Sequence, residues 1–377
     1  MHYRKADAVY PAYEYEKIKM IALNSPVKPN IGKLQKYLEL INSNGWYTNF
    51  GPLHNELTVR LEEYLGVKNL LLTNNGTSAI QVAGRAIGSK SLIATPFSFV
   101  ATVSAFKWQK DELAFADINR HSLNLCPQAV QSAFYKGCKA DTVLATHVYG
   151  NPCDVESFDA LSKKYSFNTI YDAAHAFGVK LKDKSVLNYG DASTLSFHAT
   201  KVFHTVEGGA IVFKEREVFD KAKEIINFGI KQDEGIVNIG INAKMNEYQS
   251  AVGLVNLDEM DNILEHRAEL FHNYREGLKN IVQLPEWHSD ANANGAYMPI
   301  LLESAEQLQK VSNALQDKNI QSRHYFSPSL DKVFVDSYNY GTANSYDTSQ
   351  RILCLPMHAH ITLSDIGRIV NVIKEIE

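Results

Sequence analysis

The sequence predicts an α/β fold: a large domain built on a mainly parallel, seven-stranded sheet, followed by a smaller α+β domain. Three observations predict it. Short apolar runs alternate with helical stretches from about residue 70 to 215, a long helical pattern begins near residue 250, and residues 282–377 mix strands with helices. Strands buried on both faces and interleaved with helices belong to parallel sheets.

Each element follows from its residues. The strand candidates are 69–73 (NLLLT), 91–96 (SLIATP), 112–118 (ELAFADI), 141–148 (DTVLATHV), 168–172 (NTIYD), 193–197 (STLSF) and 209–213 (GAIVF). Helical stretches such as 77–87 and 155–165 lie between them. Leu254, Leu257, Met260, Leu264, Leu270, Phe271, Tyr274 and Leu278 recur at helical spacing. They predict one long amphipathic helix leaving the first domain. Beyond it, AYMPILL and ILCLP are strands, and 304–319 and 363–376 are helices. The least regular segment, 327–349, is a candidate substrate lid or an ordinary long loop. The expected organisation is an N-terminal extension over 1–21, a large domain over 22–253, and a linking helix with the small domain over 254–377.

Composition excludes several function classes. The 377 residues are 45% hydrophobic and 21% charged, with net charge −4. That provides no broad basic surface for nucleic acid. No apolar run reaches 18 residues and the N-terminus has no apolar signal region, so neither a membrane span nor a secretory leader is expected. Cys126, Cys138, Cys153 and Cys354 form no CxxC pair and no zinc pattern. No metal is expected, and free thiols in the cytoplasm are the default reading.

Functional residues of such sheets gather at the carboxyl ends of the strands. TNNGTSAI (73–80) follows a strand and opens a helix. Gly76 allows a sharp turn, and Thr77 and Ser78 offer amides and hydroxyls to an anion, although an ordinary helix cap has the same composition. Asp172 ends an apolar strand, where a carboxylate is costly without a cationic partner, and His175 lies three residues on. A strand-end Asp also caps helices. Ser196, His198 and Thr200 lead into Lys201. A lysine beside a pocket can be desolvated into a nucleophile, while a lysine taken singly is most often a surface charge. Asn242 follows an apolar position and either bonds a partner or serves a turn. Anion cradle, carboxylate and lysine, in that order on strand ends, fit a phosphorylated aldehyde cofactor, pyridoxal 5′-phosphate. A nicotinamide-binding fold is poorly supported, since no GxGxxG follows any strand.

From about residue 22 onward the chain resembles the DegT/DnrJ/StrS sugar aminotransferases, within the fold-type-I pyridoxal phosphate enzymes. The resemblance rests, in family order, on WYTNFGP, NNGTSAIQVAGRAI, TPFSFVAT, HVYGNPCDV, YDAAHAFG, SFHATKVFHTVEGGAIV, GINAKMNEYQSAVGL and LPMH. It implies that Lys201 is the Schiff-base lysine and that Asp172 pairs with the pyridinium nitrogen. It places His175 near the phenolic oxygen, Phe99 stacked on the ring, and Thr77, Ser78 and Ser196 on the phosphate, joined by Asn242 from the neighbouring subunit. It implies a homodimer with shared sites, pyridoxamine 5′-phosphate as the intermediate cofactor form, and L-glutamate and a nucleotide-linked keto-sugar as substrates. Many relatives carry tyrosine or glutamine where His198 and His175 stand. A dehydratase branch replaces the lysine with histidine, whereas Lys201 is intact here. The nearest branch forms dTDP-4-amino-4,6-dideoxyglucose for O-antigens and other surface glycans. Amination at C3, a UDP- or GDP-linked acceptor, a lyase acting on amino acids and a catalytically silent binding homologue remain alternatives. His198, His324, Tyr325 and His358 are the expected sugar-nucleotide contacts.

Overall fold

The computed structural model describes residues 20–376. Residues 1–19 of the expected extension lie outside the described residues. Ile21, by contrast, is buried and pairs with Ile320. Two helices come first. In α1 (Ile31–Asn44) the Asn30 side chain accepts from the Lys33 amide, and Gly45 ends the helix at φ 63°. Helix α2 (Pro52–Leu65) starts on a proline at its first turn.

The sheet follows. Its strands are β1 (Leu70–Thr73), β2 (Ser91–Ala94), β3 (Glu112–Phe115), β4 (Thr142–Thr146), β5 (Asn168–Asp172), β6 (Ala192–Ser196) and β7 (Gly209–Phe213). Between them run α3 (Gly76–Ile87), α4 (Val100–Lys107), α5 (Pro127–Tyr135) and α6 (Val155–Tyr165); after β7 come α7 (Arg216–Ile225) and α8 (Glu247–Leu257). The spatial order is β1-β7-β6-β5-β4-β2-β3, with β7 antiparallel to both neighbours and the rest parallel. Side chains alternate between two cores. Leu70, Leu72, Val143, Ala145 and Tyr171 face the layer of α2, α5, α6 and α8. Leu71, Leu144 and Ile170 face α3, α4 and α7. Helices α3 and α4 pack closely at Gly84, where a Cβ would come within 2.6 Å of the Phe106 ring.

The expected single long helix is two. Helix α8 ends at Leu257 and α9 (Met260–Leu278) starts after Glu259, whose backbone is non-helical (φ −107°, ψ 0°). At the break Asp258 is bonded by Lys33 of α1 (2.8 Å) and Arg60 of α2 (2.7 Å). Apolar spacing continues across this break, so periodicity alone does not reveal it. The expected 253/254 boundary falls inside α8.

In the C-terminal part, β8 (Met298–Leu301) pairs antiparallel with β10 (Ile352–Leu355). Helices α9, α10 (Ala305–Asp317) and α12 (Leu363–Lys374) share its core through Leu270, Tyr274, Val311, Leu315 and Ile369. The 327–349 segment, read from sequence as the least regular, carries regular structure. It contributes β9 (Tyr338–Asn339), an eighth strand alongside β3, and most of α11 (Ala343–Arg351). Its buried Asp331 accepts from Ser329, Thr342 and Asn339 at 2.5–3.3 Å. Short polar residues that look like loop composition are here the partners of one buried carboxylate.

Candidate active site

The parallel strands β2, β4, β5 and β6 point their carboxyl ends at a cavity of about 670 Å³. Residues after β1 and β2, the ends of β5 and β6, and a wall made by Tyr297, Arg323, Tyr325 and Phe326 line it.

One end is an anion cradle. Asn75 caps α3, its side chain accepting from the Ser78 amide at 2.8 Å and its carbonyl from the Ala79 amide at 3.1 Å. The Gly76 and Thr77 amides precede the first helical bond, and the hydroxyls of Thr77, Ser78 and Ser196 have no hydrogen-bond partner among the described residues. A Cβ on Gly76 would come within 2.7 Å of the Ser196 Cβ, so only glycine lets the helix start close over β6. Free amides and hydroxyls at a helix N-terminus fit a phosphate.

Asp172 lies at the floor. It is buried, and its Oδ2 accepts from Thr102 Oγ1 at 2.7 Å and its Oδ1 from the Ala174 amide at 3.1 Å. Burial raises its pKa; the Thr102 hydroxyl, the Ala174 amide and the Lys201 charge oppose that rise. Lys201 sits in the turn after β6, with Nζ 5.9 Å from the Tyr297 ring centroid. Desolvation lowers its amine to about 8, against the pull of Asp172 and Tyr325. Near neutrality such an amine is available both as a nucleophile and as a proton carrier.

His175 is buried between aromatic rings, stacked within 4° of parallel on Phe326 at 5.8 Å and edge-on to Tyr297 at 4.7 Å. Its Nδ1 accepts the Tyr149 amide at 3.2 Å. Burial holds its pKa well below the usual histidine range, so the ring is neutral and carries its hydrogen on Nε2. Phe99 caps the start of α4, lines the cavity and is 52% exposed. His198 is at the rim, bonded to Thr200 at 2.9 Å and 3.6 Å from Glu207.

Three of the expected residues do not reach this cavity. His324 is half-buried outside it, while its neighbours Arg323 and Tyr325 line it. His358 is buried, with Nδ1 accepting from the His360 amide and Nε2 facing the Ala22 carbonyl at 3.2 Å. Both nitrogens are thus occupied, and burial pushes its pKa down to about 4. Asn242 is exposed and is not among the residues lining the cavity, although its carbonyl accepts from the side chain of Asn74, which is.

Comparison with known proteins decides the family, which matches the chain over residues 30–374. The chain belongs to the DegT/DnrJ/EryC1/StrS aminotransferase family. As a member it is an aminotransferase with pyridoxal 5′-phosphate as cofactor. The residues present fit that cofactor: a phosphate-sized cradle at Gly76, a buried carboxylate, an exposed ring at Phe99 and a desolvated amine. The chain is 40% identical to a Shigella dysenteriae dTDP-4-amino-4,6-dideoxy-D-glucose transaminase, over 95% of this chain and all of that protein. It is 32% identical to an Escherichia coli protein of the same name, over 94% and 98%. Among solved structures it resembles DesI, crystallised in the presence of its TDP-sugar product, with TM-score 0.88 and 26% identity over 94% and 92% of the two chains.

Within this family member, sequence reasoning passed over Thr102, Tyr297 and Arg323. Thr102 lies inside the TPFSFVAT segment, but nothing in its neighbours marks its bond to Asp172. Arg323 carries no carboxylate partner among the described residues and lies over the Tyr325 ring at 4.8 Å.

Proposed function

We propose that this enzyme moves an amino group from L-glutamate to C4 of dTDP-4-keto-6-deoxyglucose, giving dTDP-4-amino-4,6-dideoxyglucose for a surface glycan such as O-antigen. The observation that carries the proposal is the full-length similarity to the Shigella dysenteriae transaminase of that product. Support for the chemistry comes from Lys201 and Asp172 sharing one cavity.

In this reading the α3 N-terminus, Thr77, Ser78 and Ser196 hold the cofactor phosphate, and Asp172 faces the ring nitrogen. Bound pyridoxal phosphate supplies an aldehyde for covalent attachment and a ring that takes up the electron pair of a broken C–H bond. Lys201 holds the cofactor between turnovers through Nζ, then carries a proton at that atom from the donor's Cα. Asp172, ionised, keeps positive charge on the ring nitrogen favourable. His175 offers its Nε2 hydrogen to an oxygen on the ring, and Phe99 stacks on the ring face. Arg323, Tyr325 and His198 meet the anionic and hydroxyl groups of the substrates.

The active assembly is a homodimer in which Asn242 completes the partner's phosphate site. Two features support this: the exposed Asn242 does not line its own cavity, and the chain beside it exposes Phe228 (51%), Ile236 (79%) and Ile239 (94%). The cytoplasm is the proposed compartment, in keeping with four unpaired cysteines. A test is to supply purified enzyme with glutamate and a panel of dTDP-, UDP- and GDP-linked keto-sugars and follow 2-oxoglutarate. GDP-linked acceptors belong in the panel because a GDP-perosamine synthase of Escherichia coli O157:H7 is 27% identical over 79% of this chain. Formation of 2-oxoglutarate only with a dTDP-4-keto-sugar is expected; turnover only with UDP- or GDP-linked acceptors contradicts the proposal.

A further inference from the structure

Behind Asp172 runs a line of three buried hydroxyls. Thr102 Oγ1 lies 2.7 Å from Asp172 Oδ2, Ser98 Oγ lies 2.7 Å from Thr102 Oγ1, and Thr146 Oγ1 lies 3.1 Å from Ser98 Oγ. All three are at most 2% exposed. They come from three elements. Ser98 follows β2, Thr102 is on α4, and Thr146 ends β4, in register with Asp172 at the end of β5. Three distant stretches of chain, 98–102, 146 and 172, therefore meet in one row.

Counting protons fixes the direction of the row. Each hydroxyl has one hydrogen. An ionised carboxylate can only accept, so the Thr102 hydrogen goes to Asp172. Thr102 must then accept from Ser98, and Ser98, with its hydrogen committed, must accept from Thr146. With Asp172 charged, all three O–H dipoles point the same way, positive end toward the carboxylate. Aligned bonds polarise one another, and in a buried site that field is little screened.

We propose that Thr146, Ser98 and Thr102 form a polarised relay whose purpose is to hold Asp172 ionised and aimed at the cavity, so that Thr102, and through it Ser98 and Thr146, are positioning residues for the proposed transamination. The relay itself is independent of which ligand Asp172 faces; its catalytic consequence rests on the cofactor assignment. Other groups act on the same carboxylate. Lys201 favours its charge, His175 is neutral, and Cys153 and Tyr297 are protonated thiol and phenol whose pKa values burial raises. None of these donates a hydrogen bond to Asp172; Thr102 and the Ala174 amide do. The amide is fixed by the backbone, which leaves the hydroxyl row as the part that side-chain chemistry controls. It also explains a polar row in a region otherwise filled by Val103, Ala105, Phe106 and Leu144.

The test separates the relay from the cofactor. Full-length protein is labelled with [4-13C]aspartate, freed of cofactor and titrated by NMR, with the Asp172 signal assigned by its loss in Asp172→Asn. Thr102→Val is expected to shift the Asp172 midpoint upward, and Thr146→Val to shift it upward by less. Thr102→Ser, which keeps the hydroxyl, is expected to return the midpoint to the parental value. Loaded with cofactor, Thr102→Val should lose about tenfold or more in kcat with the glutamate KM little changed, the size of a hydrogen bond to a charged group. Thr146→Val changes a residue outside the cavity lining, so it keeps the test available if Thr102→Val fails to fold. An unmoved midpoint in both valine variants overturns the relay, as does a Thr102→Ser shift equal to that of Thr102→Val. A shifted midpoint with unchanged kcat overturns its catalytic role. Failure of the cofactor reading alone would leave the cofactor-free titration as predicted.

Discussion

The Tyr149 backbone amide donates to His175 Nδ1 over 3.2 Å, and that one bond decides which nitrogen of the imidazole carries the hydrogen. Tyr149 reaches this position in a left-handed backbone conformation (φ 60°), which a bulky residue adopts only when its surroundings hold it there. Its hydroxyl also donates to the Tyr325 carbonyl, joining His175 to the cavity wall. The expected consequence is that His175 acts as a neutral N–H donor. His175→Gln, which keeps an N–H, should retain activity within about tenfold, and His175→Leu should lose on the order of a hundredfold. Activity assays of the two variants check this; equal losses in both contradict the donor role.

Lys201 should titrate low. Its amine sits at about 8 because of desolvation, against an ordinary lysine at 10.5. In cofactor-free protein, the rate at which Lys201 reacts with an aldehyde should therefore rise through a midpoint near 8 and level off above it, since only the free amine attacks. Removing the neighbouring negative charge in Asp172→Asn should lower that midpoint, because Asp172 favours the protonated amine. Stopped-flow absorbance across pH checks both signs, and Lys201→Ala should abolish turnover while the protein stays folded.

Arg323 should govern affinity for anions. Arg323→Ala should raise KM for glutamate or for the sugar nucleotide by about tenfold to a hundredfold, as loss of a charge-assisted hydrogen bond does, with a smaller change in kcat. Substitution of His324, outside the cavity, should leave both KM values near the parental ones. Steady-state kinetics with each substrate varied in turn distinguishes the two neighbours.

A shared site predicts complementation. Lys201→Ala and Asn242→Ala should each be nearly inactive. Mixed and reassembled, half the dimers pair one of each, and each such dimer has one intact site. Recovered activity should approach about a quarter of the parental value. No recovery after verified subunit exchange contradicts a site completed by the partner.

Strands β1 to β7 were legible because they are short apolar runs buried in the sheet, and each lies within about three residues of its expected bounds; the exposed two-residue β9 was not. Lys201, Asp172 and Gly76 were legible because the carboxyl end of a buried strand is an unusual place for an amine, a carboxylate or a tight turn. Thr102 was not, because its partner lies 70 residues away and a threonine in a helix carries no mark of what it bonds. That Arg323 and Tyr325 line the cavity and His324 does not has a local reason. Arg323 pairs antiparallel with Cys354, and along extended chain successive side chains face opposite sides, so 323 and 325 reach the cavity and 324 does not. His358 has the polarity of a ligand contact, yet its partner is the Ala22 carbonyl, which only the folded chain brings near. The break in the long helix lies beside Asp258, whose partners on α1 and α2 are again distant in sequence.

The most direct measurement is the position of the transferred nitrogen. Purified enzyme is incubated with pyridoxal phosphate, 15N-labelled L-glutamate and dTDP-4-keto-6-deoxyglucose, and the sugar product is examined by NMR. The expected result is 15N bonded to C4 of a dTDP-linked 4,6-dideoxyglucose, with 2-oxoglutarate formed in equal amount and neither product from Lys201→Ala. Nitrogen at C3, or 2-oxoglutarate without an aminated sugar, would contradict it.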